Sequence, residues 1–214
     1  MEMNQFWSDL SIETKNFLSQ EAQVLEYKRG DSIYSQGDLP KGLYFLEDGL
    51  VSLMFIGESS GKEHLVRFFK KGQFFGHRSL FSDEKHHANA IVLEKTKIKF
   101  LRKDIIFHVL ESNPLLFKKF VAVLAKELRR CELNQLRILE NQILPRISRT
   151  IIYLKDIKPD YNWTRQEIAN FAASTTSTVI KAMNELESMG FILQEGRRVT
   201  ILNREALLNL QDDL

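Results

Sequence analysis

The sequence predicts an α+β chain: an N-terminal β roll, one long helix, and a small helical C-terminal domain closed by a hairpin. Three observations carry this. Eight of the ten glycines lie between Gly30 and Gly76. Past Asp104 the apolar period changes from that of strands to a heptad-like spacing. The last third then holds a helix, a short turn, a second helix and a hairpin, in that order.

The glycine-rich zone is a series of strand-like runs: VLEYKRGD, SIYSQGD, GLYFLEDG, LVSLMFIG, EHLVRFFKKG, AIVLE and KIKFLR. Alternating apolar residues bounded by Gly-Asp or Asp-Gly signals give short strands joined by tight turns. So many short strands must close into a sandwich or barrel-like roll, because isolated hairpins cannot bury their faces. An amphipathic opening (Phe6, Trp7, Leu10, Phe17, Leu18) is expected to cap the roll as a helix. Within the roll, FFGHRSLFSDEKHHANA reads as a glycine-led polar turn carrying three of the five histidines.

Asn113-Pro114 ends a short helix and starts a long one, with proline in the first turn. Phe117, Val121, Leu124, Leu128, Cys131, Gln135 and Ile138 follow at alternating spacings of four and three, which reads as the seam of a dimer helix, the alternative being one buried helix of a monomer. A second line, Leu133, Leu136 and Leu139, is expected to lie against the β domain. Leu144-Pro145 reads as a hinge.

In the last third, Ile147, Ile151, Ile152 and Leu154 give one helix face. Thr164-Arg-Gln-Glu167 is a capping box opening a short helix over 165–172. A second helix starts near Thr175 and ends at a C′ glycine, Gly190. FILQEG and RRVTILN form a β-wing. The order is that of a winged helix-turn-helix, whose second helix enters the major groove of double-stranded DNA. Val179, Met183 and Leu186 share its packing face. The opposite face offers Thr176, Ser177, Ile180, Lys181 and Asn184 to base edges. Arg165, Thr175 and the wing residues Arg197 and Arg198 are placed for phosphates.

Composition sets outer bounds. The chain has 214 residues, 43% hydrophobic and 27% charged, with a formal charge of +2. Bulk charge therefore neither demands nor excludes nucleic acid. No apolar run reaches transmembrane length and the N-terminus lacks a signal-peptide pattern, so a cytoplasmic protein with no membrane partner is expected. One cysteine, Cys131, excludes an intrachain disulfide and a four-cysteine metal site.

The same parts in the same order resemble the CRP/FNR family of bacterial transcription regulators. The stretches YKRGDSIYSQGDLPKGLYFLEDGLVSL, GQFFGHRSLF and TRQEIANFAASTTSTVIKAMNELESMGFI carry the resemblance, which spans essentially the whole chain. It implies a double-stranded β-helix (jelly-roll-like) sensor domain of the cyclic nucleotide-binding type over 1–103. A dimerisation helix and hinge over 104–144 and a winged helix-turn-helix DNA-binding domain over 145–214 follow. It further implies a homodimer on a pseudo-palindromic promoter site, with RNA polymerase as partner and a small molecule as effector.

Members that bind cyclic AMP place a Gly-Glu pair, then Arg with Ser or Thr, around the ligand. Here the resemblance sets Gly76-His77 and His87-Ala88 at those positions, and Cys131-Glu132 where a hydroxyl pair meets adenine. The effector pocket would thus comprise Gly76, His77, His87, Ala88, Cys131 and Glu132. An imidazole in place of a guanidinium fork removes bidentate phosphate recognition, so the effector is expected not to be cyclic AMP. An iron–sulfur sensor is excluded because no cysteine precedes Cys131. No cofactor is expected. A haem-based gas sensor using His77 and a cyclic-nucleotide-type regulatory or scaffold subunit are the alternatives. An enzyme is not expected, since no nucleophile or paired carboxylates accompany the histidines. Cys131 reads as a seam filler or a redox contact.

Overall fold

The computed structural model describes residues 10–57, 61–140 and 142–210. Phe6 and Trp7, and the side chains of Ile138 and Leu139, lie outside the described residues. The chain divides into two compact units, residues 1–62 with 66–130, and 63–65 with 131–214.

The first unit opens with helix α1 (Ile12–Glu21), capped by Ser11, whose side chain accepts from the Thr14 N–H. The strands are β1 (Gln23–Tyr27), β2 (Ser32–Tyr34), β3 (Gly42–Asp48), β4 (Leu50–Ile56), β5 (Glu63–Lys70), β6 (Phe74–Phe75), β7 (Asn89–Val92) and β8 (Thr96–Arg102). They build two four-stranded sheets, ordered β1-β8-β3-β6 and β2-β7-β4-β5. The pairings β1–β8, β3–β8, β3–β6, β2–β7 and β4–β7 are antiparallel. This is the expected roll.

Strand β3 shows why the roll has two cores. Five of its residues in succession, Gly42 to Leu46, are buried, as a strand covered on both faces must be. Tyr44 and Leu46 face the inter-sheet cluster with Val51, Leu53, Phe69, Phe75 and Ile98. Leu43 and Phe45 join a second cluster, in which Leu18, Ile106, Val109, Leu116 and Phe120 cover the sheet from helices. The covering helices are α1, α3 (Lys103–Ser112) and the first half of α4 (Pro114–Glu140).

Two expectations need correction here. The stretch after Phe75 is not simply a turn: β6 leads into helix α2 (His77–Ser82). Six residues were too few to show a helical period, and the strand pairing that fixes β6 is with Tyr44 and Phe45. Secondly, within the first unit another line of α4 lies on the β domain, and Leu133 and Leu136 are exposed. The face that packs there is Leu116, Phe120 and Val123, because α4 meets the roll with its first half. The proposed seam residues Phe117, Val121 and Leu128 stand exposed, Leu128 at 62%.

The second unit contains α5 (Ile143–Ile157), α6 (Arg165–Phe171), α7 (Thr176–Ser188), the hairpin β9 (Ile192–Glu195) and β10 (Arg198–Ile201), and α8 (Arg204–Asn209). Helix α8 was not anticipated. It seats Leu207 in the core, and Ser148 Oγ donates to the Leu207 carbonyl at 2.7 Å. Ile147, Ile151 and Leu154 of α5 are buried with Ile168, Ala169, Val179, Met183 and Leu186. The spacing of those residues follows the helical period, so each helix buries one stripe.

Candidate effector recess and DNA-reading surface

The roll carries a recess lined by Tyr34, Leu53, Phe69, Gly76, His77, Arg78, Ser79, His86, His87 and Ala88, with about 310 Å³ of empty space, open solvent included. Four expected pocket residues, Gly76, His77, His87 and Ala88, are thus brought together. Cys131 and Glu132 are exposed. Gly76 sits at φ +87°, and a Cβ there would come within 3.0 Å of the Tyr44 ring and 3.1 Å of the Gly42 carbonyl. Both the backbone angle and the close approach demand glycine.

His77 does not face an open ligand position. Its Nε2 donates to Glu127 Oε2 at 2.9 Å, since a carboxylate can only accept. Glu127 comes from α4, and Arg78 Nε donates to the same oxygen at 3.0 Å. Arg67 of β5 closes on Oε1 and lies 5.0 Å from the centre of the Phe69 ring. One carboxylate, its side chain 8% exposed, therefore meets three partners from two elements, His77 and Arg78 of α2 and Arg67 of β5. Burial by itself pushes this carboxyl up; the His77 hydrogen bond and the charges of Arg67 and Arg78 outweigh it and hold it well below the usual carboxylate range.

Across the recess, Tyr34 and His86 stack with ring centres 3.6 Å apart. Burial keeps His86 neutral, pushing it down to about 4 against a weaker pull from Asp38. His87 is lowered as well, by burial and then by Arg78. Burial raises Tyr34 and raises Tyr44 to about 12. His77 Nδ1 and His86 Nε2 are buried without a hydrogen-bond partner. Among the described residues no group of three or more His, Cys, Asp or Glu is placed to hold a metal ion.

Sequence reasoning missed Arg67, Arg78, Glu127, Tyr34 and His86. A signal for Glu127 existed: it ends the line Leu116, Phe120, Val123, Glu127, at the helical spacing of the face that packs on the roll. An acid on an apolar stripe needs a partner.

In the second unit the capping box is complete. Thr164 accepts from the Glu167 N–H at 3.1 Å, and Glu167 accepts from the Thr164 N–H at 2.8 Å. After α6 the Ser174 N–H reaches back to the Ala169 carbonyl at 3.0 Å, around Ala173 at φ +50°. The same geometry ends α7, where Phe191 N–H meets the Leu186 carbonyl around Gly190 at φ +72°. Both are Schellman ends, one with the expected glycine and one with alanine.

The leading edge of α7 is a hydroxyl cluster. Thr175 is the N-cap, accepting from the Thr178 N–H, and its Oγ1 lies 3.0 Å from Ser177 Oγ. Thr176 donates to Gln166 of α6 at 2.7 Å. Ile180 and Lys181 are exposed on the same helix. Arg165 is held at the wing: its Nη2 donates to Gln194 at 2.7 Å. Arg197 and Arg198 are exposed at the hairpin. Its register pairs Arg198 with Glu195, so the turn residues are Gly196 and Arg197.

Comparison with known proteins agrees with this geometry. A family model described as cyclic nucleotide-binding domain matches residues 24–113, and one described as Crp-like helix-turn-helix domain matches residues 145–210. A CRP-like cAMP-activated global transcriptional regulator of Mycobacterium tuberculosis is 23% identical over 201 residues, covering 89% of this chain and 88% of that one. The cyclic AMP receptor protein of Thermus thermophilus is 26% identical over 168 residues, covering 78% and 77%. The crystal structure of a CRP/FNR-family transcriptional regulator from Eubacterium rectale superposes with a TM-score of 0.79 at 14% identity, covering 96% of this chain and 98% of that one. With a β roll, a long helix and a helix-turn-helix domain in the same order, this chain belongs to the CRP/FNR family of transcription regulators.

Proposed function

We propose that the protein acts in the bacterial cytoplasm as a homodimer on a pseudo-palindromic promoter, with RNA polymerase as its partner, and that its effector is not cyclic AMP. Pairing through the exposed seam of α4 would present two α7 helices to half-sites about one helical turn apart. Ser177, Thr176, Ile180 and Lys181 are the candidates for base edges, and Arg165, Thr175, Arg197 and Arg198 for phosphates.

The observation that carries the effector reading is the Glu127 knot. A cyclic phosphate needs free cations, and Arg78, the guanidinium that lines the recess, is turned onto a carboxylate supplied by the protein itself. His87 and Ala88 add neither a guanidinium nor a hydroxyl. The relatives named for cyclic AMP therefore do not extend their ligand to this chain. Haem has no better footing here, since Nε2 of His77 is committed to Glu127 and Nδ1 is buried.

The test is twofold. Fluorescence anisotropy with genomic promoter fragments should show salt-dependent binding of a dimer, and Lys181→Ala should weaken specific binding more than binding to random duplex. Calorimetric titration with cyclic AMP should show no heat at micromolar concentrations. Micromolar affinity for cyclic AMP would sink the effector reading, and a monomer that ignores DNA would sink the rest.

A further inference from the structure

One amide joins the wing to the recognition helix and to Arg165. The backbone N–H of Gln194, in β9, donates to Glu187 Oε1 at 2.6 Å. Its side-chain Nε2 donates to Glu187 Oε2 at 3.0 Å and to Asn184 Oδ1 at 3.2 Å, both residues on α7. Its Oε1 accepts from Arg165 Nη2 at 2.7 Å, at the first turn of α6. Arg165 Nη1 also reaches the Arg197 carbonyl in the wing turn at 3.5 Å. The amide can stand only one way round, because a guanidinium can only donate and a carboxylate can only accept.

Gln194 also separates two charges that would otherwise meet. Both Glu187 oxygens are spent on the Gln194 amide groups, and Arg165 meets a neutral oxygen instead of a carboxylate. The guanidinium is thereby held in one orientation without losing its charge to an internal partner. A guanidinium has five N–H donors, and two are engaged here, so donors remain for an anion.

We propose that Gln194 is a positioning residue of the DNA-binding surface: it presents the Arg165 guanidinium, charge intact, to a DNA phosphate. This rests on the reading of Arg165 as a phosphate contact. Holding a long side chain in place before binding removes its ordering penalty, which corresponds to a few-fold to about tenfold in affinity.

The experiment measures binding of the full chain to a long random-sequence duplex across a salt series, since such binding depends on phosphate contacts alone. Arg165→Ala should lower affinity and reduce the salt slope by about one. Gln194→Met, which keeps length and removes both hydrogen-bonding ends, should weaken binding a few-fold, yet add nothing in the Arg165→Ala background. Gln194→Glu would set a carboxylate on Arg165 and should lower the salt slope as Arg165→Ala does. The exchange pair E187Q/Q194E keeps a single carboxylate and restores a donor opposite each of its oxygens. It should melt like the parent but keep the shallow slope, which separates lost charge from lost structure. A full salt slope in the exchange pair, or equal effects of Gln194→Met with and without Arg165, overturns the proposal. An Arg165→Ala variant that binds like the parent overturns the phosphate reading beneath it instead.

Discussion

Replacing Glu127 with alanine should lower the melting temperature of the β-roll unit by about 10 °C. The carboxylate is buried and takes hydrogen bonds from His77 and Arg78 and an ion pair from Arg67. Removing one side of a buried pair costs about 3–5 kcal/mol, because the remaining charges lose their partner. Arg67 and Arg78 can recover part of this, since Arg78 is 30% exposed and can turn to water. His77 cannot, at 2% exposed and with its other nitrogen already without a partner. The lower end, about 3 kcal/mol, is therefore expected, and at about 3 °C per kcal/mol for a unit of this size it gives the stated shift. Glu127→Gln keeps the shape and an acceptor for His77, so it should lose about half as much. The carboxyl is held below its ordinary range, so its contribution is present above the unfolded-state pKa and is lost as pH falls toward the folded-state value. The gap between parent and Glu127→Gln should accordingly narrow in acid. Scanning calorimetry measures the shift, and hydrogen–deuterium exchange over 66–82 localises it to β5 and α2. If Glu127→Ala melts within about 1 °C of the parent, with unchanged exchange there, the knot contributes nothing and the reasoning fails.

Two further outcomes are expected. Ala173→Gly should raise the melting temperature of the second unit slightly: alanine at φ +50° costs about 1–2 kcal/mol, and the extra freedom of unfolded glycine returns about half of it. A lower melting temperature would show that Ala173 is unstrained. His86, pushed down to about 4 by burial, stays neutral in the fold while the unfolded chain takes a proton below about 6.5. Stability should fall as pH drops through that window, by at most about 3 kcal/mol at about 1.36 kcal/mol per pH unit. His86→Phe keeps a ring against Tyr34 and should flatten this part of the profile; an unchanged pH dependence in that variant would refute the assignment.

Much of the fold is written in short stretches of sequence. Gly30-Asp31 and Gly37-Asp38 bracket β2, Asp48-Gly49 joins β3 to β4, Asn113-Pro114 marks the start of α4, and Thr164 with Glu167 opens α6. Gly190 closes α7 in the left-handed conformation it was expected to take. These features are legible because their causes act within a turn or two of chain: a cap, a required φ, an alternation of faces.

What the sequence could not show depends on partners far along the chain. Glu127 and His77 are 50 residues apart, and Arg165 and Gln194 are 29 apart. Glu127 stands out only as an acid ending an apolar line, with nothing local to name its partner, and a glutamine in a strand is an ordinary solvated residue until packing removes the water. Leu133 and Leu136 are the opposite case: their spacing is as apolar as that of Leu116 and Phe120, yet they are exposed while Leu116 and Phe120 are buried. The sequence by itself determined the longer elements and their caps, because those are short-range steric and hydrogen-bonding choices, whereas the six-residue helices α2 and α8 were too short to show a period. The tertiary structure alone decided which charges are desolvated and paired, because burial belongs to the assembled fold and not to any one segment of it.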